Sequence, residues 1–583
     1  MAYIGRGLDN GVRNQFVFAA TQGQTSFSGS DSDGKTLAMT DILYTDCYQN
    51  GVKLKPTTDY TVSLTTLTLI SAASLNDVIN IVSFDIFAVP DTVPASTGGT
   101  FGGGIAAAGY SSSTAGTSNF RAGVNAGNSI TAGGNYNVTV GDEAGTAITT
   151  GDSNTAVGFE ALATEDTASR NTAIGFRSLK TNNGGDNNTA VGENSGTAVT
   201  TGHNNTLIGQ DAGEALTDAD YNTALGSDAL QSDTLGSKST AVGAAALSTQ
   251  NFTSATDSNN TAVGYQAGAS ITTGVQNTIV GSVAGDAFTD ADKNVAIGTN
   301  ALSSSVQGSK NVAVGTAALF TSNPSGAVDT LNTAVGFEAG KATTTGTGNT
   351  FIGASAGDSC TDTVNCVAVG LNALGGADAD HSNVAVGQLS LSSCTGDSNT
   401  AVGDQAGTDV TSGDNNSFLG QDAGRSGAPG GSITTASNTI VLGDGSIANA
   451  HIQVDWTVAS DERDKTDFTA LDLGLDFVKE LEPVTYKWDK RAKYGEDIST
   501  ITHDGTHKED WLDVGFKAQA VEALEEAAGY TIADKTNLTT NLSEDGKQYG
   551  IQYSKFVPIL VKALQELSEK NDALEARITA LES

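Results

Sequence analysis

The sequence predicts a mainly β chain in three parts: a small amino-terminal β domain, a long parallel β-solenoid shaft, and a carboxy-terminal α+β domain that ends in a coiled coil. Three observations carry that expectation. A phrase close to Asn-Thr-Ala-Val-Gly returns along the middle of the chain about every 17 residues, the composition changes near Ala459, and the last stretch repeats apolar residues at alternating steps of three and four. A fixed short period is the mark of a solenoid, and the three-four step is the mark of a helical seam. The boundaries that follow are 1–95 for the first domain, 96–134 for a Gly/Ser-rich hinge, 135–450 for the shaft and 451–583 for the last domain, with the coiled coil at 556–583.

Composition narrows the function classes. With 70 glycines against 7 prolines in 583 residues, neither collagen nor a proline-rich tether fits. A net charge of −37 argues against nucleic acid as the main ligand, because phosphate recognition needs a basic face. Residues 1–459 hold 14 basic and 40 acidic side chains, about 12% charged, whereas the last 124 hold 15 and 26, about 33%. The boundary near Ala459 rests on that step. Cys47, Cys360, Cys366 and Cys394 show no C-x-x-C spacing and read as free thiols. No long apolar run exists and the opening Met-Ala-Tyr-Ile-Gly-Arg lacks a signal core, so a soluble chain without signal-peptide export is expected.

From Phe16 to Phe87 apolar residues alternate: Tyr60, Val62 and Leu64, then Leu67 and Leu69, then Val82, Phe84 and Ile86, with a turn at Asn50-Gly51. Period two with turn residues between predicts antiparallel strands. Asp31-Ser-Asp33-Gly34 opens like a calcium loop, but Ile42 stands where the closing acid is required, so a hairpin turn is expected. Tyr48-Gln-Asn-Gly-Val-Lys-Leu54 with Asp59-Tyr60-Thr resembles the amino-terminal domains of tail fibres in marine podovirus-like phages. That resemblance implies a domain that joins a fibre to phage tail or adaptor proteins.

In the shaft the phrase's glycine falls at Gly141, Gly158, Gly175, Gly192, Gly209, Gly226 and Gly243 and continues to Gly443. A second beat overlies it: four residues after the glycine stand Leu162, Leu179, Gly196 and Gly213, then Leu230, Leu247, Gly268 and Gly285. Seventeen residues are too few for two helices, while Thr-Ala-Val followed by glycine suits a short strand and a corner. Adjacent strand residues such as Ala156-Val157 and Ala173-Ile174 are both apolar and point to opposite faces. One face fills the coil's core and the other needs a partner, which three chains around an axis would supply, with Asn154, Asn171 and Asn188 stacking as amide ladders. At ~4.8 Å per coil the eighteen motifs make a rod of ~80 Å. The phrase resembles the head repeats of trimeric autotransporter adhesins, which implies a trimeric parallel β-roll. Expanded intervals at 247–260, 319–332 and around 425–431 are expected as surface loops and as candidates for host contact. Gly353-Ala-Ser355-Ala-Gly357 matches a nucleophile elbow but shares the register of the other repeats.

Directly after the shaft comes Ala459-Ser460-Asp461-Glu462-Arg463-Asp464-Lys465. A serine attacks when a base takes its proton, and a lysine is such a base when burial keeps it neutral. Leu471, Leu475, Val478 and Leu481 make one helix face ended by Pro483, Val484-Thr-Tyr486-Lys-Trp488 reads as a strand, and Gly515-Phe516-Lys-Ala-Gln519 leads into another helix. This order resembles the self-cleaving intramolecular chaperone domain that ends phage tail spikes and fibres, endosialidases included. The resemblance implies Ser460 as nucleophile, Lys465 as its general base and the Ala459-Ser460 bond as the one cut. Asp464 departs from the apolar residue usual there, and a carboxylate beside Lys465 would raise its pKa and slow the cut. Val557, Leu560, Leu564, Leu567, Leu574, Ile578 and Leu581, with Asn571 in the same series, form the seam, and a buried Asn sets register and strand number. His503-Asp-Gly-Thr-His507 beside Glu509 and Asp510 reads as a polar loop, and neither a metal nor a cofactor is expected.

The function expected from these parts is a homotrimeric phage tail fibre for host attachment, assembled in the host cytoplasm and carried on the virion. Its receptor would be a glycan or outer-membrane component of the host, nucleic acid is not a partner, and no activity beyond self-cleavage is expected. The alternative is a catalytic tail spike that degrades host polysaccharide. Such hydrolysis needs two carboxylates ~5–10 Å apart, and the shaft's acids, such as Glu160 and Glu338, recur singly.

Overall fold

A computed structural model describes residues 12–39, 42–85, 114–454, 456–494 and 501–583. The chain divides into two compact units, Met1–Ala107 and Ala108–Ser583.

In the first unit, strands β1 (Val12–Ala19), β2 (Ser26–Ser28), β3 (Thr45–Gln49), β4 (Val52–Lys53), β5 (Tyr60–Val62), β6 (Thr66–Leu69) and β7 (Val78–Asp85) form two antiparallel sheets. One has the order β1-β7-β3-β4 and the other β2-β6-β5. Asn50 and Gly51 both take positive φ, 51° and 84°, the mirror-image turn whose twist suits a two-residue hairpin between β3 and β4. Phe16, Phe18, Phe27, Tyr60, Leu67 and Ile81 fill the core. Along β7 it is Ile79 and Ile81 that join this core, so the alternation expected from Val82 and Phe84 is offset by one residue. Ile86 and Phe87 lie outside the described residues. Asp31 closes a turn: its carboxylate accepts from the backbone N–H of Val17 at 2.9 Å, Asp33 at 3.0 Å and Lys35 at 2.7 Å.

The second unit opens with the shaft. Nineteen three-residue strands, from Phe120–Ala122 to Ile440–Leu442, stack in parallel, each paired in register with its neighbours in sequence. The first of them falls inside 96–134, so the reading of that whole stretch as a hinge is corrected: 114–134 already form a coil, with Asn119 starting the ladder, and 96–113 lie outside the described residues. The phrase was too degenerate there to be legible. At the corners, glycine is required twice over. Gly281 has φ +139°, and a Cβ on it would stand 2.6 Å from the carbonyl of Gly298 in the next coil.

The middle residue of each strand points inward. Buried Asn side chains run beside it: the N–H of Asn154 donates to Asn137 Oδ1 at 2.8 Å, and Asn154 Nδ2 donates to the Ala168 carbonyl at 2.9 Å. The same pair of bonds repeats coil after coil; Cys366 takes the place of Asn and still accepts the Asn383 N–H, while Ser239 accepts no such bond from Asn260 and its hydroxyl meets Ser258 instead. An amide so placed satisfies a backbone donor and a backbone acceptor that the interior would otherwise orphan.

The second beat is a matter of volume. Where Leu162 and Leu179 project into the core, the strands offer Ala156 and Ala173, and all four are fully buried. Where the position becomes Gly196 and Gly213, a large strand residue, Leu207, lies between them; a Cβ on either glycine would come within 2.7 and 2.8 Å of its methyls. Phe351 lies in the same way between Gly340 and Gly357, at 2.7 and 2.5 Å. A close-packed interior holds one or the other set of side chains but not both.

Two of the expanded intervals stay on the surface and add a short parallel pair at the same place in the unit, Gly236–Ser237 with Thr256–Asp257 and Gly308–Ser309 with Val328–Asp329. Each is tied by an ion pair, Lys238 to Asp257 at 2.5 Å and Lys310 to Asp329. The third differs. Pro429 and Gly430 of the expected loop stay exposed, while residues 432–436 just beyond it meet the chain's own carboxy-terminal domain through Glu544 and Asp545.

After Leu442 the described chain has no strand until Val484–Tyr486, which pairs antiparallel with Asp513–Gly515. Helices α1 (Leu475–Glu480), α2 (Ala518–Ala527) and α3 (Phe556–Glu582) and a hairpin of Thr540–Leu542 with Tyr549–Ile551 complete the domain. Leu471 stands ahead of α1 rather than on it, because the helix begins only after Gly474. Glu525 on α2 is fully buried and holds the hairpin: its carboxylate accepts from the Thr539 N–H at 2.5 Å and hydroxyl at 2.8 Å and from the Thr540 hydroxyl.

Candidate functional site

Ser460 and Lys465 are brought together by a local turn. Glu462–Asp464 form one 3-10 turn capped by Asp461, whose carboxylate accepts the Arg463 N–H at 2.9 Å. The Arg463 guanidinium forks onto the same carboxylate at 3.0 and 2.6 Å, so each holds the other's charge. The Arg463 pairing holds the Asp461 carboxyl below its ordinary range. With the turn fixed, Lys465 Nζ lies 2.5 Å from Ser460 Oγ and 3.3 Å from the Ser460 carbonyl. Among the described residues Lys465 thus contacts Ser460 and not the neighbouring Asp464. Ala459, Ser460 and Lys465 are all exposed in the single chain.

The seam series lies on one face of α3. Phe556, Ile559 and Ala563 turn inward, and the helix packs on α1, whose Leu475 N–H donates to Glu566 at 2.7 Å. Val557, Leu560, Leu564, Leu567, Leu574, Ile578 and Leu581 face outward, 49–85% exposed, and Asn571 is exposed among them. A stripe of seven large apolar residues in water is unusual unless something covers it. The shaft carries a second such stripe: the third residue of each strand, Leu225, Ile352 and Leu419 among them, is apolar and 41–57% exposed at these three positions.

His503, His507 and Glu509 of the polar loop have local partners. His503 pairs with Asp489 at 3.4 Å, Tyr494 packs edge-on against His503 and His507, and Glu509 meets Lys493 at 3.6 Å. Ser355 sits with φ +52° at a shaft corner, in the place held by Glu338 and Gln405 in other coils. The acids Glu160 and Glu338 are engaged, Glu160 by Lys180 at 2.7 Å and Arg177 at 2.8 Å, Glu338 by Lys341 at 2.8 Å. The Lys180 hydrogen bond leads in pulling the Glu160 carboxyl below its usual range, the opposite of what a general acid needs. The four thiols are buried and free, and burial pushes Cys47 and Cys360 up to about 12.

Glu544 was not legible as a site residue. Burial works to raise its pKa, but the Thr435 hydroxyl and the amides of Thr434, Thr435 and Ala436 overcome this and bring it down to about 2. Its partners lie more than a hundred residues away in sequence, and no spacing signals such a pair.

A repetitive solenoid thus ends on a small domain, with a Ser-Lys pair at the join and an exposed apolar helix face beyond. Residues 460–530 match the family described as the chaperone of endosialidase, and the match begins at Ser460 itself. No curated protein and no solved structure matches the chain. A carboxy-terminal chaperone of this kind on a long β-solenoid shaft fits a phage tail fibre or spike-like protein.

Proposed function

We propose that the protein is a homotrimeric phage tail fibre for host attachment whose last domain aligns three shafts and then cuts the chain between Ala459 and Ser460. The observation that carries this reading is the coincidence at one residue of three features: the composition step, the start of the chaperone match, and a serine hydroxyl 2.5 Å from a lysine amine. The two exposed apolar stripes support the trimer, since three copies around an axis would cover both. The amino-terminal unit would join phage tail or adaptor proteins, and the shaft's surface would meet a host glycan or outer-membrane component.

In the cleavage step a neutral Lys465 takes the Ser460 Oγ proton as the oxygen attacks the Ala459 carbonyl carbon. The Ala459-Ser460 C–N bond breaks, the freed nitrogen takes the proton and becomes an amine, and an ester remains. Water then hydrolyses the ester, leaving the Ala459 carboxylate and the restored hydroxyl. A lysine acts as base only where water is excluded, and the pair is exposed in one chain. Packing of three chains at the shaft's end would bury it, which makes the cut follow assembly. The test is a denaturing mass measurement of the expressed chain. Wild type is expected as fragments of 459 and 124 residues, with Ser460→Ala and Lys465→Ala intact; an intact wild type, or a cut Ser460→Ala, contradicts the assignment.

A further inference from the structure

The shaft ends on an open edge, and the chaperone domain closes it. In coil after coil one threonine donates twice to the next coil. Thr200 gives its N–H at 2.9 Å and its hydroxyl at 3.2 Å to the Thr217 carbonyl, and Thr217 gives both, at 2.9 and 3.0 Å, to the carbonyl of Thr234. Thr272, Thr344 and Thr411 do the same, the last to Thr434 at 2.8 and 3.0 Å. Thr434 belongs to the final coil and has no next carbonyl to meet. In its place stands the Glu544 carboxylate, accepting the Thr434 N–H at 3.0 Å and hydroxyl at 3.1 Å. The same carboxylate takes the N–H of Thr435 at 2.9 Å, the N–H of Ala436 at 3.1 Å, and the Thr435 hydroxyl. Asp545 accepts the Ser432 N–H at 3.4 Å beside it.

The carboxylate is held where it is needed. It sits at the tip of the 540–551 hairpin, whose turn is tied by Ser543 accepting the Gln548 N–H at 2.9 Å and whose base is held by buried Glu525. Arg491 donates to the Lys547 carbonyl at 2.7 Å, and Lys490 reaches the Ile447 carbonyl at 2.9 Å. None of these bonds involves residues 455–465.

We propose that Glu544 caps the solenoid by standing in for the coil that would come next, and that through this clasp residues 460–583 stay seated on the shaft after the Ala459-Ser460 bond is cut. The second half rests on the cleavage reading above; the first does not. A break 25 residues beyond Thr434 leaves the clasp whole, and in a trimer three clasps on one joined cap act together, so that loss of one is not loss of the fragment.

The full chain tests both halves. Size-exclusion chromatography of cleaved wild type at neutral pH, with native mass of the shaft peak, is expected to find the 124-residue fragment travelling with the shaft, and Glu544→Ala to lose it at least tenfold more readily on dilution. In the uncut Ser460→Ala chain, hydrogen exchange at the amides of 434–436 is expected to be slow and to quicken at least tenfold when Glu544→Ala is added. Wild-type shaft free of fragment overturns retention. Equal exchange in the two uncut chains overturns the clasp, whether or not wild type cuts. Should wild type stay whole, the cleavage reading falls alone, and a protease site placed in 444–454 supplies the cut for the same separation.

Discussion

At the scale of the residue, the shaft is held by polar groups that its narrow core could not otherwise tolerate. Asn277 serves two orphans at once: its Oδ1 accepts the Asn294 N–H at 2.9 Å and its Nδ2 donates to the Ala291 carbonyl at 2.8 Å. Asn277→Ala leaves both unpaired, and a loss of at least ~2 kcal/mol is expected in denaturant unfolding. Glu165 is the exception that titrates. It is fully buried, and burial raises its pKa to about 7 against hydrogen bonds from Ala168 and Asn182. The folded shaft therefore keeps a proton that the unfolded chain releases near ~4.3. The charge costs nothing below that pH, costs progressively more as pH rises through about 7, and is fully felt above it. Glu165→Gln is accordingly expected to stabilise the shaft at pH ~8 by on the order of 3 kcal/mol and to make no difference at pH ~4, read from melts at the two pH values. The amide columns were legible in advance because Asn recurs in the phrase. The Glu165 site was not, since one acid among many in a degenerate repeat gives no sign of facing inward.

At the scale of the element, each coil is specified by its neighbours. The alternation of paired leucines and paired glycines was visible in the sequence as a rhythm, but its cause needed the position of the large strand residue between the glycines. Phe351 reaches into two successive coils, and Gly340 and Gly357 are the room it takes. Unlike the phrase's own glycine, the position four residues after it does not demand glycine, for Leu162 and Leu179 hold that place at φ +53° and +47°. Gly340→Leu is therefore expected to destabilise the shaft by overpacking, by about 1–3 kcal/mol. Combining it with Gly357→Leu and Phe351→Ala recreates the other kind of coil and is expected to recover most of the loss, which thermal melts of the single and triple variants would check. The start of the shaft was misplaced for a related reason. Phe120–Ala122 occupies the strand position without the Thr-Ala-Val wording, and only pairing with Val138–Val140 identifies it. In the last domain the strand at Val484–Tyr486 and the helix at Ala518–Ala527 were readable from local pattern, whereas the hairpin carrying Glu544 was not.

At the scale of the whole molecule, a single chain exposes two apolar stripes and the Ser-Lys pair. The proposed trimer would answer all three, with three chains in register and the α3 seams joined at the end. Long parallel pairing is slow and prone to misregistration, and in the proposed trimer a terminal helix that gathers the chains before the coils close would set their register. The candidate dyad was readable because its members stand five residues apart and meet through one local turn. The proposal that it depends on neighbouring chains rests on the uncovered surface instead. Native mass of the uncut Ser460→Ala chain, beside the same chain carrying Leu564→Asp and Leu574→Asp, tests this claim most directly. The account predicts three copies for the first, and single, poorly folded chains for the second. A stable single copy of the Ser460→Ala chain, with its shaft folded, would contradict it.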